Sequence, residues 1–439
     1  MAAQPDSFHV RPSPAIGGET GVPGDKSISH RAVLLGSIAR GRSTVRGFST
    51  GADCAATVAC VRALGVAVER RDCGALRIDG VGAHGLCAAA GTLDAGNSGT
   101  TLRLLTGLLA GQAFDCVLTG DASLQRRPME RVAEPLCRMG AEVLTTAGCP
   151  PLRIRGGRRL SGIRYRLPVS SAQVKSALLL AGLYARGETC IDEPVPTRDH
   201  TERMLPAFGC RIERRSGHVC ITGGQELRAC DIDVPGDFSA AAFFIVAASL
   251  AGGNPLVIRD VGVNRTRTGL LQALGSMGAE IELLHPRHRG GEPVADISVR
   301  PAPLRGICVP PGLVPAMIDE LPVLAVAAAV ATGCTRITGA GELRHKESDR
   351  ISVMARGLRV LGIGVQEAPD GMTIEGGTLE GGRVDACGDH RAAMAFAVAG
   401  AAARGAVEVC DVANVATSFP GFVASAQSIG MNITGTASA

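Results

Sequence analysis

Long apolar runs alternate with glycine-closed amphipathic segments along the chain, and this pattern predicts an α/β protein. The runs at 240–253, 321–334 and 392–403 are almost wholly apolar, which indicates helices buried on all sides. Each run is shorter than the roughly 18 residues that a membrane span needs. We therefore expect buried helices and no membrane segment.

A second pattern recurs, in which a helix closes on an apolar residue and glycine and a short strand follows. "RMGAEVL" and "SMGAEIE" are examples. Glycine suits a helix C-cap, because it adopts the left-handed conformation at little cost. The six glycines of the pattern are Gly65, Gly140, Gly209, Gly278, Gly362 and Gly430.

These glycines are 75, 69, 69, 84 and 68 residues apart. A period of about 70 is too long for a solenoid repeat, so we predict six copies of one βαβαββ module. Such modules can pack as two domains of three. The segment "DVPGDFS" at 233–239 is a suitable crossing point between them.

Lysine usage draws attention to particular residues. Of the 45 basic residues, only Lys26, Lys175 and Lys346 are lysine. Lysine is a compact ammonium whose pKa can move and which can pass a proton, whereas arginine is a planar fork of fixed charge. The retained lysines indicate roles that arginine does not fill, with chance retention as the alternative.

Composition excludes several classes of protein. The 439 residues are 46% hydrophobic and 20% charged, as in a globular protein of two or more domains. A net charge of +4 and 3% aromatic residues argue against nucleic-acid binding. The opening "MAAQPDSFHV" lacks a basic start followed by an apolar run, so we expect a cytoplasmic protein without a secretory signal.

The sequence contains 15 cysteines and no Cys-x-x-Cys pair. We interpret them as small buried hydrophobic residues in a reducing cytosol. Neither a disulfide framework nor a zinc site is expected from these spacings.

The predicted helix starts carry polar and cationic residues. "VPGDKSISHR" places Lys26, Ser27 and Arg31 in the first turns of a helix, but Asp25 separates Gly24 from the lysine, so the segment is not a P-loop. Free amides and the helix dipole favour an anion there. Similar starts occur in "AGNSGTTLRLLTG", "GDASLQRRPM", "SSAQVKSALLLAGL", "IDELPVLAVAAA", "HKESDRI" and "GDHRAAMAFAVAG".

Each of these starts taken singly is explained by ordinary helix capping. Their repetition at the same relative place predicts a cavity for a ligand with several negative groups. Asp319 and Glu347 stand out as acids among many cations, which indicates proton transfer.

With "RDHTERML" added, eight ordered motifs resemble the 5-enolpyruvylshikimate-3-phosphate synthase family from about residue 9 to 430. The resemblance implies transfer of the enolpyruvyl group of phosphoenolpyruvate to the 5-hydroxyl of shikimate 3-phosphate, without a metal or cofactor. It also implies the enolpyruvyl transferase fold, a two-domain inverse α/β barrel. The expected domains are 23–235, and 236–439 together with 1–22, with the active site in the cleft between them.

The resemblance assigns two sets of binding residues. For shikimate 3-phosphate they are Lys26, Ser27, Arg31, Ser171, Gln173, Arg198, Asp319 and Lys346. For phosphoenolpyruvate they are Lys26, Gly99, Arg127, Gln173, Arg350 and Arg391. Asp319 would take the proton of the attacking hydroxyl, while Glu347 and Lys26 would protonate the methylene carbon and assist loss of phosphate.

Two positions depart from the family pattern. Thr417 stands where some members have a lysine that contacts phosphoenolpyruvate, so that contact is missing or is replaced, for example by another arginine. Ala172 replaces a second serine, so that a phosphate hydrogen bond would come from Ser170 or from backbone.

Two alternatives to this function remain. The related transferase that acts on UDP-N-acetylglucosamine usually has asparagine after the first lysine and a catalytic cysteine in a loop, whereas this chain has Ser27 and "QRRPM". A non-catalytic anion-binding protein on the same scaffold is disfavoured by the retained acids. We expect a monomer, and glyphosate, which competes with phosphoenolpyruvate in this family, is a candidate inhibitor.

Overall fold

The computed structural model describes residues 5–72 and 74–436. The chain divides into two compact units. The N-half unit comprises Gly24–Val234 and His288–Glu292. The C-half unit comprises the described residues of Met1–Pro23, Pro235–Arg287 and Pro293–Ala439.

The α-helices differ mainly in how much of their surface is buried. In chain order they are α1 Lys26–Ile38, α2 Ala52–Ala63, α3 Gly99–Leu109, α4 Glu130–Arg138, α5 Ala172–Gly182, α6 His200–Met204, α7 Phe238–Leu250, α8 Gly269–Met277, α9 Leu321–Val330, α10 Arg350–Val360, α11 His390–Ala402 and α12 Phe422–Ser428. Short 3₁₀ helices lie at Leu124–Arg126, Leu205–Phe208, Pro311–Ala316, Gly341–His345 and Ala413–Thr417.

The strands are mostly short. They are β1 Ser7–Arg11, β2 Gly18–Thr20, β3 Arg40–Arg46, β4 Ala67–Arg70, β5 Leu76–Val81, β6 Leu93–Asp94, β7 Cys116–Thr119, β8 Glu142–Thr146, β9 Cys149–Arg155, β10 Arg164–Arg166, β11 Glu188–Asp192, β12 Ile212–Arg215, β13 His218–Thr222, β14 Ile232–Asp233, β15 Leu256–Gly262, β16 Glu280–Arg289, β17 Glu292–Arg300, β18 Cys334–Ile337, β19 Val365–Ala368, β20 Gly371–Glu375, β21 Gly382–Asp385, β22 Val407–Cys410 and β23 Asn432–Thr436.

Within the described residues, each unit contains three small sheets. In the N-half unit the strand orders are β14-β3-β5-β4, β6-β7-β9-β8 and β10-β11-β13-β12. In the C-half unit they are β16-β17-β15-β2, β18-β20-β19 and β21-β22-β1-β23. The predicted α/β class is therefore confirmed.

Most of the sheets share one pairing scheme, which explains the repeat in the sequence, whereas β18, β20 and β19 pair only antiparallel. The sheet around β7 has one parallel pair, β6 with β7, followed by antiparallel pairs of β7 with β9 and of β9 with β8. The same order occurs around β11, from β10 to β12. In the C-half unit, β1 pairs with both β22 and β23, so the last sheet is completed by the start of the chain.

The six repeat glycines all have the predicted backbone conformation. Their φ angles are 90° at Gly65, 99° at Gly140, 80° at Gly209, 97° at Gly278, 87° at Gly362 and 99° at Gly430. An L-residue with a side chain is strained at such angles, so glycine ends each helix and turns the chain into the next strand.

Three helices in each unit form its centre. In the C-half unit these are α7, α9 and α11, whose residues are almost all buried, as the apolar runs predicted. In the N-half unit they are α1, α3 and α5. Gly107 lets α3 and α5 approach closely, since a Cβ there would lie 2.1 Å from the carbonyl oxygen of Ala177. The N-terminal ends of α3 and α5 can therefore lie close together at one end of the N-half unit.

The cysteine interpretation was wrong in two respects. Cys190 and Cys220 form a disulfide, although they are 30 residues apart in the sequence. Moreover, Cys87, Cys137 and Cys308 are exposed rather than buried. The disulfide follows from strand register, because β11 and β13 pair antiparallel with Cys190 directly opposite Cys220. Spacing along the chain does not reveal such a pairing.

Among the described residues, no helix combines the length and the apolar character needed to span a bilayer.

Candidate active site

The start of α1 holds Lys26 beside an acid. Asp25 caps the helix, accepting a hydrogen bond from the backbone N–H of Ile28 at 2.9 Å. The Lys26 Nζ atom lies 2.9 Å from Asp53 Oδ2, and both side chains are largely buried. Asp53 comes from α2, so the lysine is held at the helix start by a neighbouring element. The ammonium is positioned where the helix dipole also favours an anion.

Arg31, one turn further along α1, is fixed by neutral oxygens. It donates to Thr201 Oγ1 at 2.7 Å, to Ser176 Oγ at 2.7 Å and to the Ser27 carbonyl at 2.9 Å. Burial lowers the pKa of Arg31 to about 10, against the opposing effect of Glu202, and the charge of Arg198 also lowers it. Arg31 therefore remains charged at neutral pH and shares one region with Ser27 and Arg198.

The starts of α3 and α5 meet through Gln173. Its Oε1 accepts from Arg103 at 2.5 Å, and its Nε2 donates to Thr100 Oγ1 at 2.9 Å. Gly99 is the first residue of α3, and a Cβ added there would lie 2.8 Å from Arg103 and 3.2 Å from Arg127. A side chain at this position would therefore crowd two guanidiniums, which glycine avoids.

Arg127 lies beside this glycine. It follows the 3₁₀ helix Leu124–Arg126 and donates to Asn97 Oδ1 at 3.0 Å. Asn97 in turn donates to Asp121 Oδ2 at 2.6 Å. The N-half unit therefore brings Gly99, Arg127 and Gln173 together, as expected for residues that share one ligand.

Ser171 and Arg198 are two further residues that the sequence assigned to the site. Ser171 is the N-cap of α5, and its hydroxyl accepts from the backbone N–H of Val174 at 3.4 Å. Arg198 is half-buried in the segment just before α6. Ser170 exchanges hydrogen bonds with the backbone of Val195, at 2.8 and 2.9 Å. That hydroxyl is therefore committed to holding the loop.

In the C-half unit, Arg350 at the start of α10 is surrounded by carboxylates. Its Nε lies 2.8 Å from Asp389 Oδ2, its NH1 lies 3.2 Å from Asp319 Oδ1, and its NH2 pairs with Glu347. Burial opposes the charge, but Asp389, Glu347 and Asp319 outweigh it and raise the pKa of Arg350. The guanidinium is 1% exposed, so a ligand reaches it only if a carboxylate moves.

Arg391, in the first turn of α11, lies on the other side of Asp319. The Arg391 NH2 atom is 3.6 Å from Asp319 Oδ2, and its NH1 donates to the Asp319 carbonyl at 3.2 Å. Asp389 caps α11 by accepting from the backbone N–H of Arg391 at 2.9 Å. Asp319, Glu347, Arg350 and Arg391 therefore form one cluster, and Lys346 precedes Glu347 in the chain.

The position of the missing family lysine has a local role in this chain. Thr417 ends the 3₁₀ helix Ala413–Thr417, and its hydroxyl donates to the Asn414 carbonyl at 2.7 Å.

Lys175, the third retained lysine, is buried between Glu193 and Glu202, with its Nζ atom 2.7 Å from each carboxylate. Burial lowers the pKa of Lys175, but these carboxylates outweigh it and raise the pKa. Lys175 therefore fastens α5 to the following segments.

Several positioning residues were not assigned from the sequence. Asp53 holds Lys26, Arg103 holds Gln173, Thr201 holds Arg31 and Asp389 holds Arg350. Asp389 could have been recognised from the sequence, because aspartate before an apolar helix is typical of an N-cap. No sequence pattern identifies Asp53 as a partner of Lys26, because the two residues lie on different helices and are 27 residues apart.

Each unit, taken by itself, has an arrangement that suits negative groups of a small ligand. Both units present cations at the starts of buried helices, where backbone N–H groups add to the positive potential. Arginine forks match carboxylate and phosphate oxygens, and Asp319 and Glu347 supply groups that can move protons.

Comparison with known proteins points to one family. The family model of EPSP synthase (3-phosphoshikimate 1-carboxyvinyltransferase) matches residues 10–425. A 3-phosphoshikimate 1-carboxyvinyltransferase of Methylococcus capsulatus is 58% identical, covering 97% of this chain and 98% of the relative. The enzyme of that name from Alkalilimnicola ehrlichii is 57% identical, covering 97% and 96%.

Solved structures agree with this result. The EPSP synthase of Acinetobacter baumannii superposes with a TM-score of 0.88 at 48% identity, covering 98% of this chain and 99% of that one. The enolpyruvyl transferase NikO of Streptomyces tendae shares the fold, with a TM-score of 0.79 at 18% identity over 100% of both chains. The predicted enolpyruvyl transferase fold is confirmed, and the chain belongs to the EPSP synthase (3-phosphoshikimate 1-carboxyvinyltransferase) family.

Proposed function

We propose that this chain transfers the enolpyruvyl group of phosphoenolpyruvate to the 5-hydroxyl of shikimate 3-phosphate and releases phosphate. The reaction belongs to the shikimate pathway, which leads to chorismate and the aromatic amino acids. The observation that carries the proposal is the placement of Asp319, whose carboxylate lies 3.2 Å from Arg350 and 3.6 Å from Arg391. An acid that can take a proton thus lies beside two guanidiniums that can bind an anion.

Phosphoenolpyruvate is held by residues of both units in this proposal. Gly99, Arg127 and Gln173 support this, since Gly99 lets the α3 backbone lie close to the Arg127 guanidinium and Gln173 is fixed nearby by Arg103. Lys26, Arg350 and Arg391 complete the set. The charge of the donor draws Arg350 toward it, and the carboxylate that leaves Arg350 is then available as a base or acid.

Shikimate 3-phosphate is assigned to the region around Arg31. Ser27, Arg31 and Arg198 support this, because Arg31 is held rigidly and the charge of Arg198 acts on it. The remaining contacts of the proposal are Lys26, Ser171, Gln173, Asp319 and Lys346. The Ser170 hydroxyl is hydrogen-bonded to the Val195 backbone. In this proposal, backbone N–H groups at the start of α5 therefore bind the phosphate in place of the serine hydroxyl that is missing at Ala172.

Addition begins when Asp319 accepts the proton of the 5-hydroxyl. The hydroxyl oxygen bonds to C2 of phosphoenolpyruvate, and Glu347 or Lys26 delivers a proton to C3, which gives a tetrahedral intermediate. Elimination returns a proton from the new methyl group to the protein and breaks the C2–O bond to phosphate. The methyl proton restores the Glu347 or Lys26 that gave one, and the proton taken up by Asp319 leaves with the phosphate, so the protein returns to its starting protonation state. No metal or cofactor enters these steps.

Phosphate release with purified protein tests this function. Phosphoenolpyruvate and shikimate 3-phosphate together should release phosphate, whereas either substrate alone should not. Replacing shikimate 3-phosphate with UDP-N-acetylglucosamine tests the related transferase. Release only with the nucleotide sugar would transfer the assignment to that enzyme, and release with neither acceptor would indicate a non-catalytic anion-binding protein.

Glyphosate as a competitor of phosphoenolpyruvate, the monomeric state and the cytoplasmic location also belong to the proposal. The guanidiniums of Arg127, Arg350 and Arg391 support the first, because arginines that bind phosphoenolpyruvate can bind a competing anion. Inhibition competitive with phosphoenolpyruvate, and a mass of one chain by light scattering, are the expected results. A dimer mass would contradict the monomeric state, and noncompetitive inhibition would contradict competition between glyphosate and phosphoenolpyruvate.

A further inference from the structure

One face of the β11–β13 ladder carries a cluster of metal-binding side chains that the enolpyruvyl transfer does not use. Strand side chains alternate between faces, so Glu188, Cys190 and Asp192 of β11 share one side. His218 and Cys220 of β13 lie opposite Asp192 and Cys190 in register and share that side. The cluster thus joins two strands that the sequence separates.

The opposite face of the same ladder belongs to the core. Ile191, Val219 and Ile221 point that way and are buried with the hydrophobic residues of the N-half unit. The cluster therefore lies on the outer face of the sheet. Both cysteines are buried there, and His218 is only partly exposed.

His218 is oriented as a metal ligand. Its Nε2 lies 3.0 Å from Cys220 Sγ, and its Nδ1 lies 2.5 Å from Asp192 Oδ1. The Asp192 carboxylate is placed to accept a hydrogen bond from Nδ1 of the imidazole. Nε2 then presents its lone pair to the sulfurs. A carboxylate behind a histidine is the usual outer support of a metal-binding imidazole, whereas a disulfide by itself needs no histidine.

We propose that Cys190, His218 and Cys220, once the disulfide is reduced, bind a thiophilic divalent cation such as Zn²⁺. The candidate ligand atoms lie within 4.8 Å of one another. Thiolates at about 2.3 Å from a tetrahedral zinc are about 3.8 Å apart, which directly opposed strand residues can reach by rotating about χ1. Glu188 Oε2, 3.3 Å from Cys190 Sγ, supplies the fourth ligand.

The disulfide and the metal are alternative states of one site. Reduction adds two electrons and two protons to the Cys190–Cys220 bond, and metal binding then releases the two thiol protons. A phosphine reductant supplies the electrons, taking the oxygen of a water molecule to become a phosphine oxide. In a reducing cytosol the thiol state is favoured, so the metal form is the one expected there.

Cobalt binding to the full-length protein tests the proposal. After anaerobic reduction with a phosphine, about one Co²⁺ per chain should bind tightly, with a thiolate-to-cobalt charge-transfer band that Zn²⁺ removes. The same protein kept oxidised should show no such band. Cys190→Ser/Cys220→Ser should abolish it, whereas Cys308→Ser/Cys334→Ser, which removes two exposed thiols, should leave it unchanged.

Two further variants separate metal binding from simple disulfide formation. His218→Ala removes a ligand but leaves both cysteines, so the tight cobalt site should be lost. Asp192→Asn should weaken Zn²⁺ binding by about 10- to 100-fold, because it removes the support of the imidazole. Absence of a band in reduced protein, or a band that survives in the Cys190/Cys220 or His218 variants, would overturn the proposal and leave a structural disulfide.

Discussion

Arg31 in the N-half unit and Arg350 in the C-half unit are held in opposite ways. The Arg31 guanidinium donates to the hydroxyls of Thr201 and Ser176 and to the Ser27 carbonyl. In the C-half unit, Arg350 pairs with Asp319, Glu347 and Asp389, and Arg391 lies against Asp319 as well. Neutral acceptors orient a cation without cancelling its charge, whereas carboxylates orient and cancel it together.

This difference indicates a division of labour. An arginine held by neutral groups keeps its full attraction for a phosphate, which suits it to binding. An arginine among carboxylates is part of a charge-balanced set, and a ligand anion that enters the set displaces an acid from it. We infer that the N-half unit chiefly binds anions, while the C-half unit couples anion binding to proton transfer.

The largest expected effect is that of Asp319→Asn. We expect kcat to fall by about 100- to 10,000-fold, the usual contribution of a general base. The KM for phosphoenolpyruvate should change little or fall, because Arg350 and Arg391 lose a competing carboxylate. Steady-state kinetics measure both. The exposed Asp411→Asn in the same unit is the control, and a rise in KM without loss of kcat would remove the base from Asp319.

Two of the three retained lysines, Lys26 and Lys175, provide the next test. Lys26→Arg keeps the charge but replaces a movable proton with a fixed one, so we expect kcat to fall about 100-fold or more while the unfolding midpoint stays near that of the parent. Lys175→Arg should instead lower the unfolding midpoint and leave kcat nearly unchanged. Lys175 is buried between Glu193 and Glu202, so a larger head group would disturb the packing there. Urea unfolding and kinetics on both variants decide the matter. Normal turnover by Lys26→Arg would contradict the proton role.

Gly99→Ala should have a smaller effect. The added Cβ would meet Arg103 at 2.8 Å and Arg127 at 3.2 Å, so both guanidiniums must shift. We expect the KM for phosphoenolpyruvate to rise by about 10- to 100-fold, corresponding to an overpacking cost of about 1–3 kcal/mol, with the KM for shikimate 3-phosphate nearly unchanged. Glyphosate inhibition should weaken in parallel. Gly91→Ala, where the new Cβ meets nothing within 4 Å, is the control.

The smallest effect is the pH dependence of stability that buried His30 in α1 causes. Burial, together with the charges of Lys26 and Arg31, holds the pKa of His30 well below its usual value. The unfolded chain takes up the proton near pH 6.5 and the folded chain does not, so this contribution to stability is present above that pH and lost as pH falls. The free energy of unfolding should drop by about 1.4 kcal/mol per pH unit below it.

His30→Gln should reduce that slope, because glutamine does not titrate. Urea unfolding between about pH 7.5 and 5.5 measures it. His288→Gln, at an exposed histidine, should leave the slope unchanged. An equal slope in the parent and in His30→Gln would show that His30 is not the group responsible.

Local pattern was sufficient for much of the fold and for the helix starts that carry the candidate site residues. The repeat glycines take left-handed angles, and the apolar runs form the buried α7, α9 and α11, because chain turning and burial depend on nearby residues. Helix starts rich in Ser, Asp and Arg were recognisable in the same way. The residues in contact with those starts were not, and Asp53 beside Lys26 is an example.

The sequence alone determined the α/β module, its repetition and the cationic helix starts, since each is written in a short stretch of chain. Tertiary structure decided which side chains face one another. Arg350 meets Asp389 only because α10 and α11 pack together, and Cys190 meets Cys220 only through the register of β11 and β13. Such contacts depend on how distant segments are aligned, and neither spacing nor composition encodes that alignment locally.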